Sequence, residues 1–577
     1  MVKRTSEKFW AGISWISSSG FFENIAKGGG PGPSAAKGEK LMKKGAKKLL
    51  KSLCVTAVIL GLFAAAGGAL AAEKVLKIAY PYDPKTADCQ KRTDVYTLPL
   101  NCFDRLLECV TLESGESKIV PGLAESWEIS EDGKTYTFHL REGVLFHNGE
   151  ELTADDVVYT FDRMLDPKTK ALNTDILDFV DGAQDRLEGK ADSTRGLEAV
   201  DRYTVRIRLR EPYAPFLAVL ASPQSSIFNR KFTEAAGEQF GLTAETTCGT
   251  GPFILEEYAL NDRQVLVANE NYFRGRPSID RLEIKVVEDA ETMRMLFEAG
   301  EIDVFDCDYA FSQIPYFMNH PKWKDRMVSG PRVGIYYISL NQKLEPWDDV
   351  RVRKAFQMAV DRKTILEKMF YGRGILANGI MPKGLVGYNP DLKPLEYNPE
   401  KAKELLAEAG YPDGVDVTIV QVSSWSQNWV TMSEIIQNMV AEAGFRVHIK
   451  QVDESTYYAT RQKGDMDPYI QVWSADFNDP DNFFYTFFSR SGTVIRSFNN
   501  NDEEVFEAIE KARSISDPDE RIALYRDLEK KIVHEQAAWV PLFTLDHIYV
   551  VSEKVKEFVV PWNGWSDMSY YPMDVVE

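Results

Sequence analysis

Cysteine, histidine, surplus positive charge and long hydrophobic runs are all scarce in this chain. Its 577 residues hold 6 cysteines and 6 histidines. No two histidines stand at helical i, i+4 spacing with a glutamate between them, so the zinc-hydrolase pattern is missing. No cysteines form a Cys-x-x-Cys pair, which leaves thiol redox catalysis and a zinc knuckle without support. A Gly-x-Ser-x-Gly elbow and a Gly-x-x-x-x-Gly-Lys phosphate loop are both absent. A secreted hydrolase built on paired carboxylates stays open only because any acidic chain permits it. Lys and Arg number 68 against 87 Asp and Glu, a net charge of −19; the first 71 residues carry +8, so the rest carries −27. A body that acidic argues against binding nucleic-acid phosphates through a basic surface.

The single long apolar run is Val55 to Ala71, preceded by Lys43, Lys44, Lys47, Lys48 and Lys51 and followed by Glu73 and Lys74. A basic stretch, an apolar centre and small residues at Ala69 and Ala71 form a secretory signal, with cleavage expected after Ala71. The alternative is an uncleaved anchor, for which the Ala- and Gly-rich run is short of the ~20 apolar residues that span a bilayer. The signal starts near Met42, so residues 1–41 are expected to be a flexible extension upstream of the true start, and 42–71 the signal itself. Cys54 lacks the spacing of a lipoprotein site. The exported part keeps Cys89, Cys102, Cys109, Cys248 and Cys307, and one or two disulfides plus a free thiol are expected in an oxidising compartment.

Apolar residues at 44% and charged residues at 27% are ordinary for globular proteins, and ~150 residues per domain allows three or four domains. Trp127 to Leu140 alternates apolar and polar residues on both sides of Asp132-Gly133, predicting a hairpin. Thr153 and Asp156 predict a capped helix start, with Val158, Phe161 and Leu165 on its apolar face. Tyr203, Val205, Ile207 and Leu209 predict a half-exposed strand. Gly249-Thr250-Gly251-Pro252-Phe253 breaks the chain and suits a crossover between lobes. Val350 to Tyr371 predicts one long helix, and Asn398-Pro399-Glu400 starts another that ends at Gly410. His139 and His448 are read as structural. These elements predict a multi-domain α/β or α+β protein.

One segment concentrates chemistry: Val472-Trp473-Ser474-Ala475-Asp476-Phe477-Asn478-Asp479-Pro480-Asp481-Asn482-Phe483-Phe484. Asp476, Asp479 and Asp481 suggest a cation such as calcium, although the spacing of a calcium loop is missing. Solvated acids beside core aromatics are the bland alternative. The sharper reading is an amine site, because a carboxylate buried among aromatics needs a cation and a ligand ammonium supplies one.

Four blocks then occur in one order. The first runs Pro121-Gly122-Leu123-Ala124-Glu125-Ser126-Trp127, Asp132 to Phe138, Leu140-Arg141 and Leu152-Thr153-Ala154-Asp155-Asp156-Val157-Val158. The others are Gly249 to Phe253; Leu340-Asn341 with Asp349-Val350-Arg351 and Ala359-Val360-Asp361-Arg362; and Asn398 to Ala402. Over nearly all of residues 74–577 the chain resembles the periplasmic oligopeptide- and dipeptide-binding proteins, the large solute-binding proteins of ABC importers.

The resemblance implies an α/β, two-lobed periplasmic-binding fold of the large three-domain type II class. It implies domain I from 74–111, 244–332 and 546–577, domain II from 112–243, and domain III from 333–545. It also implies a monomer in the periplasm, no enzyme activity, no cofactor, no metal, and a peptide ligand passed to ABC permease subunits. Asp476 matches the family aspartate that pairs with the peptide α-amino group, and Trp473 the tryptophan lining the pocket. Thr97, Leu98 and Pro99 resemble the edge strand that meets the peptide backbone. Dipeptide-specific members carry a carboxylate-clamping arginine in the segment matching Gln421 to Gln427, here with Ser424 and Trp425 facing the ligand and no arginine. Arg461, twelve residues before Trp473, stands where oligopeptide binders have one. The missing arginine favours longer peptides or a non-peptide amine. The family's nickel-chelate, haem, oligosaccharide and opine binders are the other cargo classes, with Trp425, Trp429 and Trp473 suited to stacking on sugar rings.

Overall fold

A computed structural model describes residues 73–576 apart from 94, 112–116, 423, 425–426, 562 and 564–566. The signal sequence, the upstream extension and Trp425 therefore lie outside the described residues. No helix among the described residues is long and apolar enough to cross a membrane.

The largest sheet among the described residues has ten strands. Its main path runs Ile470–Ser474, Gly334–Ser339, Trp539–Val551, Val304–Asp306, Val75–Tyr80, Arg281–Val286, Arg263–Ala268 and Phe253–Ala259. Val75–Tyr80 pairs in parallel with both of its neighbours, Arg281–Val286 and Val304, and the remaining adjacent pairs along the path are antiparallel. The thirteen-residue strand Trp539–Val551 is buried along its length except at Asp546. Its near-continuous apolar sequence follows from having packed cores on both faces. One end pairs with Gly334–Ser339 and the other with Met327–Pro331 and Val304–Asp306, so a single strand links two lobes.

A second, four-stranded antiparallel sheet is ordered Ala124–Ile129, Thr135–Leu140, Thr204–Arg208 and Leu197–Asp201. Its first two strands are the expected hairpin, with Ile129 opposite Tyr136 and Gly133 at φ +67°, a value that favours glycine. Helix Ala154–Leu165 covers this sheet, and the Asp156 carboxylate accepts the Thr153 N–H at 2.9 Å. Its buried face is Val157, Phe161, Met164 and Leu165, with Val158 only half-buried. The strand expected around 203–209 is Thr204–Arg208, with Val205 and Ile207 inward. Parallel strands Val415–Val422 and Phe445–Val452 flank helix Gln427–Val440, a βαβ unit. Gly249 and Gly251 lie against the Cys102–Phe103 backbone, where a Cβ would overlap main-chain atoms, so the glycine-rich crossover is a close-approach segment.

Three expectations are corrected. Val350 to Tyr371 is two helices, Val350–Ala359 and Arg362–Met369; Val360 is extended, and Asp361 starts the second by accepting the Thr364 N–H at 3.0 Å. Thr97-Leu98-Pro99 is the first turn of helix Thr97–Cys102 rather than an edge strand. Pro99 there lacks an N–H that would have had no helical partner. The five described cysteines form no disulfide. Cys89 and Cys102 fill one core, Cys248 a second and Cys307 a third, as small apolar residues do.

Candidate ligand-binding cavity

Strand Ile470–Ser474 runs beside Gly334–Ser339, with Trp473 opposite Ile335. The chain leaves the sheet where the Ala475 N–H donates to the Val333 carbonyl at 2.9 Å. Helix Asp481–Phe488 begins six residues later, with Pro480 as its N-cap residue. Asn482 in its first turn organises what lies between. Its Oδ1 accepts the Asp476 N–H and the Trp473 Nε1–H, both at 3.1 Å, and its Nδ2 donates to the Asp476 carboxylate at 3.0 Å.

These groups line a cavity of about 1070 Å³, at the upper end of what small-ligand sites occupy. Tyr82, Tyr309, Phe179, Trp473 and Tyr485 supply aromatic wall, and Asp175, Asp178, Glu288 and Asp476 supply negative charge. Burial raises the Asp476 carboxyl to about 6; the Asn482 hydrogen bond opposes that rise, Asp175 adds to it, and Arg496 opposes it. No cation lies within ion-pair distance of Asp476 among the described residues. Arg496 sits on the same wall with its guanidinium carbon 4.6 Å from the Trp473 ring centroid and 5.5 Å from that of Phe487. Burial also raises Asp175.

The neighbouring acids are differently placed. Asp479 receives both arms of Arg521 at 2.7 and 2.6 Å, and Asp481 lies 3.0 Å from Arg513 Nε while accepting the Tyr213 hydroxyl at 3.1 Å. Each has its own arginine, so Asp476, Asp479 and Asp481 do not converge on one cation. Arg513 also packs on Tyr485, Phe179 and Tyr213 at 3.5, 4.5 and 5.0 Å. The Ala214 N–H donates to its carbonyl at 2.8 Å. That cluster joins the four-stranded-sheet region to the segment after Trp473 across the cavity wall.

The sequence pattern described as "Bacterial extracellular solute-binding proteins, family 5 Middle" matches residues 118–494. The chain belongs to this family. Among family 5 relatives it is 34% identical to Heme-binding protein A of Haemophilus influenzae over 474 residues, 79% of this chain and 84% of that one. It is 32% identical to the Dipeptide-binding protein of Escherichia coli over 502 residues, 83% and 90% of the two chains. The structure of the periplasmic binding protein DppA of Helicobacter pylori, in complex with the peptide STSA, superimposes with a TM-score of 0.70 at 26% identity, covering 87% of this chain and 98% of that one. The architecture is thus the α/β, two-lobed periplasmic-binding fold.

Of the six residues singled out in this solute-binding protein from its sequence, Asp476 and Trp473 meet at the cavity. Leu98 is fully buried in the core beneath helix Thr97–Cys102 and does not line it. Ser424 is exposed outside the lining, and Trp425 lies outside the described residues. Arg461 is buried on helix Glu454–Gln462 against the Tyr457 and Tyr458 rings, at 5.4 and 5.1 Å, away from the cavity wall. Its aromatic neighbours hold it as a packing residue. Trp429 stacks on Tyr336 in the domain core, so it offers no sugar platform beside Trp473. Asn482, Arg496, Asp175 and Arg513 were not singled out as site residues. Asn482 had a local signal, standing in the acid-aromatic segment, whereas the other three reach the cavity only through tertiary packing.

Proposed function

We propose that this chain is a peptide receptor of the periplasm, holding a peptide between two lobes and handing it unchanged to the permease of an ABC importer. The observation that carries the reading is Asp476, a carboxylate oriented by Asn482 and framed by Trp473, with no cation paired to it. A ligand ammonium supplies the missing charge through a charge-assisted hydrogen bond. The relatives named for dipeptide and di/tripeptide binding support the same chemistry. The same reading divides the chain into domain I (74–111, 244–332 and 546–577), domain II (112–243) and domain III (333–545). On this reading the protein acts as a monomer whose lobes close by a hinge over the ligand.

The test is calorimetric titration with mixed-sequence peptides, each prepared with a free and an acetylated N-terminus. Free peptides bind near micromolar affinity, about −8 kcal/mol, and acetylation abolishes binding. Equal binding of acetylated peptides overturns the amine-site assignment. A haem reading draws on the relative named Heme-binding protein A. A stoichiometric Soret band on adding haem, with no peptide bound, would establish that reading instead.

A further inference from the structure

Eight acidic and five basic side chains line the cavity, an excess of negative charge in a protein-walled space. The protein answers most of the acids itself. Asp481 faces Arg513 at 3.0 Å, Asp308 meets His547 Nδ1 at 2.5 Å, and Asp178 lies 3.6 Å from Arg210. Asp83 accepts the Tyr258 hydroxyl and the Asn261 N–H, both at 2.7 Å, and Asp567 accepts the Tyr96 N–H at 3.1 Å. Asp175, Glu288 and Asp476 have no cation within ion-pair distance among the described residues. Asp175 stands near enough to Asp476 to raise its carboxyl, whereas Glu288 acts on neither. Arg496 offsets part of that rise, yet Asp476 stays raised.

The turn Thr174–Leu177 fixes Asp175 as a wall group. Ile176 and Leu177 are buried in the core of the four-stranded-sheet region. Asn173, just before the turn, donates through Nδ2 to the Cys89 and Arg92 carbonyls at 3.0 and 2.6 Å. Between these anchors Asp175 is exposed and lines the cavity, so its carboxylate is open to a ligand. Two fixed carboxylates disfavour each other's charged forms, and one ligand ammonium compensates only one of them. A second positive charge compensates the other through a charge-assisted hydrogen bond, roughly twice as strong as a neutral one. No group of three metal-ligating side chains occurs among the described residues, so the pair lacks the ligand set of a hard metal ion. An organic dication suits it better. Lysine or arginine at the first position of a peptide carries both charges from one Cα, the second on a flexible stem.

Resting on the peptide-receptor reading, we propose that Asp175 takes a second positive charge on the ligand whose ammonium Asp476 takes, so that the receptor selects peptides beginning with lysine or arginine.

The experiment is native mass spectrometry of the protein with mixed-sequence peptide libraries two to six residues long. Each library has a free N-terminus and one fixed first residue: lysine, arginine, norleucine or glutamate. The wild type retains the lysine and arginine libraries at least tenfold over norleucine, and norleucine over glutamate. Asp175→Asn retains the norleucine library at least as well as the wild type does, and no longer separates lysine from norleucine. Norleucine retained by the wild type as well as lysine overturns the proposal while leaving the peptide receptor standing. A preference for lysine that survives in Asp175→Asn overturns it too. So does an equal loss for both libraries in that variant, which would put Asp175 on the α-ammonium instead. If Asp175→Asn fails to fold, Asp175→Ser is read the same way, and the wild-type comparison of lysine with norleucine still refutes the proposal where lysine gains nothing. No library retained by the wild type overturns the receptor reading, and this proposal with it.

Discussion

Asp476 makes peptide affinity a function of pH in a window that can be worked out. Its carboxyl is raised from 3.8 to about 6, first by burial. At ~1.4 kcal/mol per factor of ten, the empty site holds an ionised carboxylate about 3 kcal/mol less comfortable than one in water. A ligand ammonium favours the charged form, so the complex binds fewer protons than the empty protein, and affinity must fall as pH falls. With a free-site value of about 6, the apparent Kd rises about tenfold from pH 7 to pH 5 and about tenfold again by pH 4. At pH 6 roughly half a proton is released per peptide bound, read by titration calorimetry in buffers of different ionisation enthalpy. Asp476→Asn removes the slope and weakens binding at neutral pH by about 2–5 kcal/mol, the cost of a buried ammonium without its partner. An affinity flat from pH 7 to 4.5, or an unchanged slope in Asp476→Asn, would refute the reasoning.

Stability of the empty protein responds to other groups. Arg513→Ala leaves the Asp481 carboxylate buried and uncompensated; urea unfolding should show a loss of about 3–5 kcal/mol, and a loss under 1 kcal/mol would mean the pair carries little. Glu529 accepts the Ile380 and Met381 N–H groups at 2.6 and 2.8 Å, and burial raises its carboxyl to about 7. A group raised in the folded state contributes stability in acid that is lost as pH rises through that value. The wild type should therefore lose ~1.4 kcal/mol relative to Glu529→Gln by pH 8, and melting curves that stay parallel from pH 6 to 8 would contradict this.

Local chemistry was the legible part of the sequence. Asp132-Gly133, the Thr153–Asp156 cap and Asn398-Pro399 each act through near neighbours, and each produced the expected element. The break at Val360-Asp361 was equally local, since Asp361 caps the second helix, but the apolar face continues across it and hid the interruption. Leu98 misled because its place was taken from the family resemblance and not from any alternation of its own neighbours, and the local chain forms a helix turn. The thiols misled because an exported chain suggests bridges, while Cys89, Cys102, Cys248 and Cys307 fill core volume. Asp476 and Trp473 were found by their place in a segment that folds as one piece. Arg496, 20 residues on, and Asp175, some 300 residues earlier, meet them only through tertiary packing, and no spacing rule reports that.

The strand Trp539–Val551 has a consequence in time. Gly334–Ser339 and Val304–Asp306 share no pairing except through it. It begins 464 residues after Val75, which at ~5–20 residues per second of synthesis is a delay on the order of 20–90 s. Until it arrives, two part-sheets present unpaired edges, the kind of surface that recruits foreign strands. A chain ending before residue 539 leaves two part-sheets with nothing to join them. The interval before that strand appears is when a chaperone has most to protect.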